Sequence, residues 1–213
     1  IGFFRIENVP AVIRLSSIQS VYDEAYKLNI RESKYKSWVE RKAILKADSV
    51  FGPSIKIANI FEKDTGRAVE IIETPFEKDL EFNDSVFRDA IGDKKYLLFF
   101  GTLGQLKGGL LIAEIIYELL EKFKNLHFVI CGKDSGYNGR MMIEYIWEKA
   151  GNNRGRVLYL GRLEKKHLFP VIKNSELVVL PSKVDNFPNT TIEAMSFGKI
   201  VVGTYEGGFD QLI

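Results

Sequence analysis

Between residues 96 and 213, short runs of β-branched or aromatic residues alternate with helical patterns, and each run ends in a glycine, a proline or a polar turn. Five runs predict strands, at 96–100, 126–131, 157–160, 177–181 and 199–203. Four intervening segments predict helices, at 108–123, 139–150, 165–173 and 190–197. Several strands are apolar on both faces, as in a parallel sheet that helices cover above and below. We therefore predict an α/β fold with a Rossmann-like, doubly wound parallel sheet.

The first 75 residues follow a sparser pattern. Strands are predicted at 11–15, 49–52 and 69–72, and one helix is predicted by a stripe at i, i+4 spacing, Tyr35, Val39, Ala43 and Ala47. Ser54 predicts the cap of a second helix that runs to about residue 63 and ends at 64–66. These elements are too few for an independent doubly wound domain. We expect an excised piece: the C-terminal portion of an incomplete domain at 1–75, a charged linker at 76–95, and a second domain at 96–213 that is truncated at its C-terminus.

Composition excludes several classes of function. Thirty basic and 28 acidic residues leave a net charge of +2, which gives no argument for nucleic acid or an anionic membrane as the main partner. The longest apolar runs fall far short of the roughly 20 residues that a spanning helix needs. A single cysteine, Cys131, excludes an intramolecular disulfide framework. We expect a soluble, cytoplasmic protein with no nucleic-acid partner.

The strongest local feature is the segment 181–195, Pro-Ser-Lys-Val-Asp-Asn-Phe-Pro-Asn-Thr-Thr-Ile-Glu-Ala-Met, which follows a buried strand and opens a helix. Asp185 and Glu193 stand eight residues apart, which predicts one carboxylate in the loop and one in the first turn of the helix. The free N–H groups of that turn and the helix dipole form an anion site suited to a diphosphate. The carboxylates beside it can accept hydrogen bonds from the hydroxyl groups of a ribose or a hexose.

Each carboxylate also has a purely structural explanation. Thr190 and Glu193 have the spacing of a capping box, in which the glutamate satisfies a backbone donor at the helix start. Asp185 considered alone is more often an Asx-turn residue than a ligand contact. Considered one residue at a time, these structural explanations are the commoner ones.

Other loops carry weaker signals. In 100–109, Gly101 lets the backbone approach a ligand and Lys107 lies at a predicted helix N-terminus, within reach of a phosphate, although a flexible turn with a solvated lysine explains them equally. Arg162 follows the third strand and is either a ligand contact or a surface arginine, while the turn at 132–135 is less specific. Gly207 and Gly208 predict a turn into a helix near 209. The two histidines, His127 and His167, are expected to be packing or surface residues, and no Cys and His cluster has metal-ligand spacing.

The order of these motifs is more informative than any one of them. The succession Phe-Gly-x-Leu with Lys-Gly, then Leu-Gly-Arg-Leu, then the 181–195 segment and Gly-Gly resembles the family-four retaining glycosyltransferases of the GT-B fold, the glycosyl transferases group 1. The resemblance covers essentially all of 96–213. The first part of the chain resembles the end of that family's acceptor domain, where Glu40 and Arg41 precede the segment 46–50 and then Ser54.

The resemblance implies two Rossmann-like domains that face a cleft, with the nucleotide sugar held mainly by the second. The family's Glu-x7-Glu pair falls on Asp185 and Glu193, with Glu193 on the ribose hydroxyls and Asp185 on hydroxyls of the donor sugar. Lys107 matches the diphosphate-binding lysine, and the 161–163 loop lies where the base is contacted. The donor-binding positions implied in this way are Gly101, Thr102, Lys107, Arg162, Leu163, Asn186, Phe187, Pro188, Asn189 and Thr190.

Three positions depart from the family pattern. Asp185 replaces the commoner glutamate and shortens its reach by one methylene, which is expected to tune the choice of sugar. Thr102 stands where many members have a phosphate-binding arginine, so one charge-assisted contact is lost. Gln211 stands where an acid is frequent.

The expected function is transfer of a sugar, with retention, from a UDP- or GDP-linked donor to a glycan or lipid-linked acceptor, in polysaccharide or glycoconjugate biosynthesis. No metal or other cofactor is expected, because helix N-termini and Lys107 can stabilise the leaving diphosphate. Residues outside this piece would supply the acceptor site and any peripheral contact with the inner face of the cell membrane, so the piece is expected to bind donor weakly and to transfer nothing. The alternatives are a nucleotide-sugar epimerase of the same architecture and a non-catalytic nucleotide-sugar-binding module.

Overall fold

The computed structural model describes residues 9–15, 31–77, 81–205 and 209–212. The predicted Gly207-Gly208 turn lies outside these ranges. The described part forms two α/β units, each built on its own parallel sheet.

The first unit contains β1 (Val12–Arg14), α1 (Arg31–Lys46), β2 (Ser49–Gly52), α2 (Ile55–Thr65) and β3 (Glu70–Ile71). Its described strands pair in parallel in the order β1-β2-β3. The predicted boundaries of α2 are confirmed by its caps: the Ser54 hydroxyl accepts a hydrogen bond from the Ile57 N–H at 3.3 Å, and Gly66 ends the helix with a φ of 69°. The two caps therefore fix where α2 begins and ends. Its N-terminus contacts the second unit.

The second unit contains α3 (Ser85–Ala90), β4 (Lys95–Phe100), α4 (Gly109–Lys122), β5 (Leu126–Cys131), α5 (Met142–Ala150), a 3₁₀ turn (Gly151–Arg156), β6 (Val157–Gly161), α6 (Lys165–Asn174), β7 (Leu177–Leu180), α7 (Asn189–Ser196) and β8 (Val201–Gly203). Its described strands are all parallel, in the order β6-β5-β4-β7-β8. This confirms the predicted doubly wound sheet and each of its nine predicted elements.

Helices cover this sheet on both faces, and each face has its own apolar core. One core includes Ile91, Phe169 and Ala194, and the other includes Ile112, Ile146 and Phe128, all fully buried. The central strand β4 contributes side chains to both cores, because Leu98 and Phe99 are each almost fully buried and point to opposite faces of the sheet.

Two predicted boundaries were wrong for identifiable reasons. The helix predicted at 139–150 begins only at Met142, because Asp134 caps it: the Asp134 carboxylate accepts the N–H groups of Met142 and Ile143, each at 2.9 Å. The strand predicted at 199–203 begins at Val201, because the Lys199 N–H still bonds the carbonyl of Ala194 in the preceding helix.

The region predicted as a linker, 76–95, contains the short helix α3 in its second half. Ile91, directly after this helix, is fully buried in one core of the second unit. The residues from Ser85 onward therefore contribute to the packing of the second unit.

Gln211 connects the two units through its side-chain amide. Its oxygen accepts the Ile55 N–H at 2.9 Å, and its nitrogen donates to the Pro53 carbonyl at 3.1 Å and to Glu73 Oε1 at 2.7 Å. The Ile55 N–H is one of the unpaired donors at the start of α2, so a residue of the second unit completes a helix end of the first.

The described residues 209–212 form a turn, with a hydrogen bond from the Leu212 N–H to the Phe209 carbonyl, where a helix was predicted to begin.

We predict that Gln211→Glu lowers the free energy of unfolding by about 1–2 kcal/mol, because a carboxylate cannot donate to the Pro53 carbonyl and is repelled by Glu73. Adding Glu73→Gln should recover part of this loss, since the new amide can donate to the carboxylate at 211. Urea denaturation followed by tryptophan fluorescence would measure both effects, with Trp38 in the first unit and Trp147 in the second. A double variant no more stable than Gln211→Glu would contradict the contact.

Candidate functional site

The carboxyl ends of β4 and β7 form the topological switch point of the second sheet. The strands on one side of β4 follow it directly along the chain as β5 and β6, whereas its other neighbour is β7. The crossover connections therefore leave β4 and β7 on opposite faces of the sheet, which opens a crevice between the loops that follow these strands. The loops predicted to bind the ligand lie at this edge.

Glycines let these loops approach one another closely. A Cβ atom on Gly132 would lie 1.7 Å from the carbonyl oxygen of Gly101, and one on Gly108 would lie 2.1 Å from that of Pro181. Gly108 also has a φ of 84°, in the left-handed region. The Lys183 N–H donates to the Leu106 carbonyl at 2.8 Å, so the loops after β4 and β7 are joined through their backbones.

A pocket of about 430 Å³ opens between the loops after β4, β5 and β6 and the start of α7. It brings together six of the predicted site residues, Gly101, Thr102, Arg162, Leu163, Thr190 and Glu193. It also contains Lys133 and the buried Cys131, which sequence reasoning did not assign to a site. The glycine-lysine turn after the second predicted strand was the available signal for Lys133, since it follows a strand at the same edge.

The Glu193 side chain lies on α7 and lines the pocket. Because α7 begins at Asn189, Glu193 lies in the second turn of the helix and not in the predicted first turn. The capping box is not formed: the cap position is Pro188, and within the described part the Glu193 carboxylate has no hydrogen bond or salt bridge. The side chain is half-buried, and this burial raises its pKa above the ordinary value of 4.5, while Lys165 opposes the shift.

The N-terminus of α7 is open to an anion. Pro188 supplies no capping side chain, and the Phe187 and Pro188 side chains are buried, so the segment presents mainly its backbone. Asn189 is exposed and Thr190 lies at the pocket. The first N–H groups of α7 are therefore available to a bound phosphate.

Lys107 and Asp185 form an ion pair with each other. Lys107 precedes the N-terminus of α4, whose cap residue Gly108 also supplies no side-chain bond. Asp185 additionally accepts the N–H of the next residue, Asn186, at 2.9 Å, so it is engaged within its loop, although an Asx-turn would use the N–H two residues on. Of the four charged side chains predicted at the site, two line the pocket, Arg162 and Glu193, and two form the Lys107–Asp185 pair.

A second pocket, of about 530 Å³, lies between the two units. It is lined by Asn186, Asp210 and Gln211 from the second unit and by Ser54, Ile55, Lys56 and Asn59 from the first. Asn186 is the predicted site residue that faces the first unit.

Neither histidine lines the pocket. His127 lies on β5 at the other end of the sheet, and burial lowers its pKa. His167 Nδ1 lies 3.2 Å from the Asn83 carbonyl. Among the described residues, no group of three or more His, Cys, Asp or Glu side chains is placed to hold a metal ion, and no helix is long and apolar enough to cross a bilayer.

We predict that Gly108→Ala lowers the free energy of unfolding by about 1–3 kcal/mol more than Gly139→Ala does. Both glycines have a positive φ, of 84° and 79°, but a Cβ at 139 would meet nothing within 4 Å. The control therefore isolates the clash with Pro181 from the backbone strain. Chemical denaturation would measure the free energy of unfolding of both variants. Equal losses in the two variants would show that the close contact between the loops does not contribute to stability.

We predict that Glu193→Gln is more stable than the unmodified chain at neutral pH. A raised pKa means that the folded state binds the proton more tightly than the unfolded chain does. The stabilising neutral form is present below the ordinary value of 4.5 and is lost as pH rises through the folded-state pKa. The gain from the substitution should therefore shrink as pH falls.

Denaturation curves across this pH range would measure the gain, with Glu118→Gln as the control at an exposed position of α4. A loss of stability in Glu193→Gln at neutral pH would instead indicate a structural role for the carboxylate.

Comparisons with known proteins bear on the family and the fold of this chain. The family model of glycosyl transferases group 1 matches residues 82–213. The 2-deoxystreptamine N-acetyl-D-glucosaminyltransferase of Niallia circulans is 30% identical over 115 residues, 54% of this chain and 28% of that relative. An uncharacterized glycosyltransferase of Methanocaldococcus jannaschii is 32% identical over 142 residues, 65% of this chain and 35% of the relative. The chain thus spans about a third of the length of these relatives.

Solved structures show the same fold. Anabaena HepE in complex with UDP and glucose matches with a TM-score of 0.76 and 20% identity, over 96% of this chain and 55% of that one. WaaG, a glycosyltransferase involved in lipopolysaccharide biosynthesis, matches with a TM-score of 0.74 and 16% identity, over 94% of this chain and 58% of that one. Both units therefore have the GT-B architecture that the motif order implied. With most of its second unit matched by the family model, the chain belongs to the glycosyl transferases group 1 family.

Proposed function

We propose that this chain holds the donor site of a glycosyltransferase that moves a sugar, with retention, from a nucleotide-diphosphate sugar to a glycan or lipid-linked acceptor. The observation that carries the proposal is the half-buried Glu193 carboxylate, which has no hydrogen bond or salt bridge to any described residue and lines a pocket beside the open N-terminus of α7. An ionised carboxylate can accept several hydrogen bonds, and no described residue uses this capacity of Glu193. A ligand with hydroxyl groups would supply that partner.

The polar groups of the edge suit the parts of such a donor. The Glu193 carboxylate can accept hydrogen bonds from both ribose hydroxyls, and partial burial strengthens these bonds. The N-termini of α4 and α7 and the Lys107 ammonium suit the diphosphate. The loop that carries Arg162 and Leu163 lines the same pocket and is proposed to contact the base.

The proposed chemistry relies on stabilising the leaving nucleoside diphosphate. As the bond to the sugar breaks, negative charge grows on the diphosphate, and the two helix N-termini with Lys107 offset that charge without a metal ion. Thr102 is neutral where many members of the family have an arginine, so the hold on the phosphates is weaker by one charge. Asp185 is proposed to hold hydroxyls of the transferred sugar during same-face attack by the acceptor.

The choice of base and of acceptor is supported by the proteins that this chain resembles. HepE was crystallised with UDP and with UDP-glucose, which favours a uridine donor among the two candidates, UDP and GDP. WaaG acts in lipopolysaccharide biosynthesis, which supports a polysaccharide or glycoconjugate product. A lipid-linked acceptor would place the enzyme in the cytoplasm at the inner face of the cell membrane, and residues outside this chain would complete the acceptor site.

The proposal is tested by calorimetry of the chain against UDP, GDP and ADP and their glucose conjugates. We expect the chain to bind the nucleotides of one base only, and to bind them weakly. We predict that Glu193→Ala weakens that binding by about 1–3 kcal/mol, because a charged hydrogen-bond acceptor is lost. Glu118→Ala, at an exposed position of α4 on the same sheet, should leave the affinity unchanged.

The possible outcomes separate the competing functions. Absence of binding to every nucleotide and nucleotide sugar would refute the donor site. In a reaction without any acceptor, conversion of the donor sugar to its epimer, detected by chromatography, would identify an epimerase. If Glu193→Ala leaves the nucleotide affinity unchanged, the Glu193 carboxylate does not bind the ribose.

A further inference from the structure

Two side chains that the proposed function places on the donor are already paired with each other. The Lys107 ammonium donates to Asp185 Oδ2, and the other carboxylate oxygen, Oδ1, accepts the Asn186 N–H at 2.9 Å. The pair is partly buried: 37% of the Lys107 side chain and 18% of the Asp185 side chain are exposed. Both oxygens of Asp185 therefore have partners within the chain, whereas the described residues supply none for Glu193.

The backbone holds this pair in place. Lys107 and Asp185 belong to the loops on the two sides of the switch point, after β4 and β7. These loops are joined by the hydrogen bond from the Lys183 N–H to the Leu106 carbonyl and by the contact of Gly108 with Pro181. The ion pair is thus a consequence of the loop packing and not a chance meeting of two mobile surface side chains.

We infer, on the basis of the proposed function, that Asp185 is the internal counter-ion of Lys107 and that the donor must exchange this pairing. A diphosphate competes with the Asp185 carboxylate for the lysine. When the ammonium turns to the phosphates, the partly buried carboxylate loses its partner and needs new hydrogen-bond donors. The hydroxyl groups of the donor sugar supply them, and a bare nucleoside diphosphate does not.

Asp185 therefore determines specificity between substrate and product. The nucleotide sugar satisfies both members of the broken pair, whereas the nucleoside diphosphate that remains after transfer satisfies only Lys107. The carboxylate then returns to the lysine and weakens the hold on the diphosphate. The exchange changes hydrogen bonds and ion pairs only, and it assists product release.

The test is calorimetry with inorganic pyrophosphate, UDP and UDP-glucose on the unmodified chain and on Asp185→Asn. The substitution should tighten pyrophosphate and UDP by about three- to tenfold, because Lys107 no longer has a charged competitor. UDP-glucose should lose its advantage over UDP. In a Lys107→Gln background, Asp185→Asn should no longer tighten pyrophosphate or UDP, since the competition has been removed already.

Asp89→Asn is the matched control. It removes the same charge at an exposed position of α3, at the opposite edge of the sheet from the switch point, and should change the UDP affinity by less than about twofold. A tightening of similar size in this control would show a general effect of net charge and would overturn the inference.

The inference and the proposed function fail in different ways. If the unmodified chain binds UDP and UDP-glucose while Asp185→Asn binds UDP equally or more weakly, the counter-ion role is wrong and the donor site stands. If no nucleotide binds the unmodified chain, the donor site is wrong, and the pyrophosphate comparison still decides the counter-ion role: an unchanged pyrophosphate affinity in Asp185→Asn overturns it.

Discussion

The close contact between the loops after β4 and β7 is the constraint on which the rest of the site depends. Gly108 lies against Pro181 with no space for a side chain, and its positive φ lets the chain enter α4 directly from the loop. The same contact sets the distance between Lys107 and Asp185 and leaves the start of α7 facing the pocket. A residue larger than glycine at 108 would separate the loops and alter both groups of polar side chains at once.

The positive charges of the site are either paired or exposed. Lys107 is paired with Asp185, whereas Arg162 and Lys133 line the pocket as exposed side chains, and Thr102 is neutral. The rigidly held donors for an anion are on the backbone: the N-termini of α4 and α7, neither of which has a capping side chain. Such dipoles are held rigidly by the helices and need no reorganisation when charge develops on a leaving group. This arrangement suits a ligand that must be bound and then released.

Much of the fold follows from local sequence signals, and the nine predicted elements of the second unit are all present. The reason is that β-branched runs, glycine turns and helical periodicity are local properties that agree with the global fold. The spacing of Glu193 from Asp185 also placed both residues at the correct edge of the sheet. The signals failed where a long-range contact decides the outcome. Asp134 shortens α5 by capping it from a loop, and no local pattern distinguishes that aspartate from other turn residues.

The same limit applies to the pairings within the site. The sequence indicated that Lys107 and Asp185 lie on neighbouring loops, but not that these two residues, 78 positions apart in the chain, pair with each other. The capping-box pattern at Thr190 was misleading because the cap position is Pro188, two residues earlier, so Glu193 lies past the first turn of α7. A spacing rule for caps depends on the exact start of the helix, so an error of one residue changes which backbone groups the side chain can reach.

Gln211 shows why a departure from a family pattern need not weaken a structure. At the junction between the units, the side chain must accept from the Ile55 N–H and also donate to the Pro53 carbonyl and to Glu73. An amide meets both demands, whereas a carboxylate meets only the first and would face the charge of Glu73. Gln211 and Asn186 line the same pocket between the units, and Asn186 adjoins Asp185. The junction between the units therefore lies beside the loop that holds Asp185.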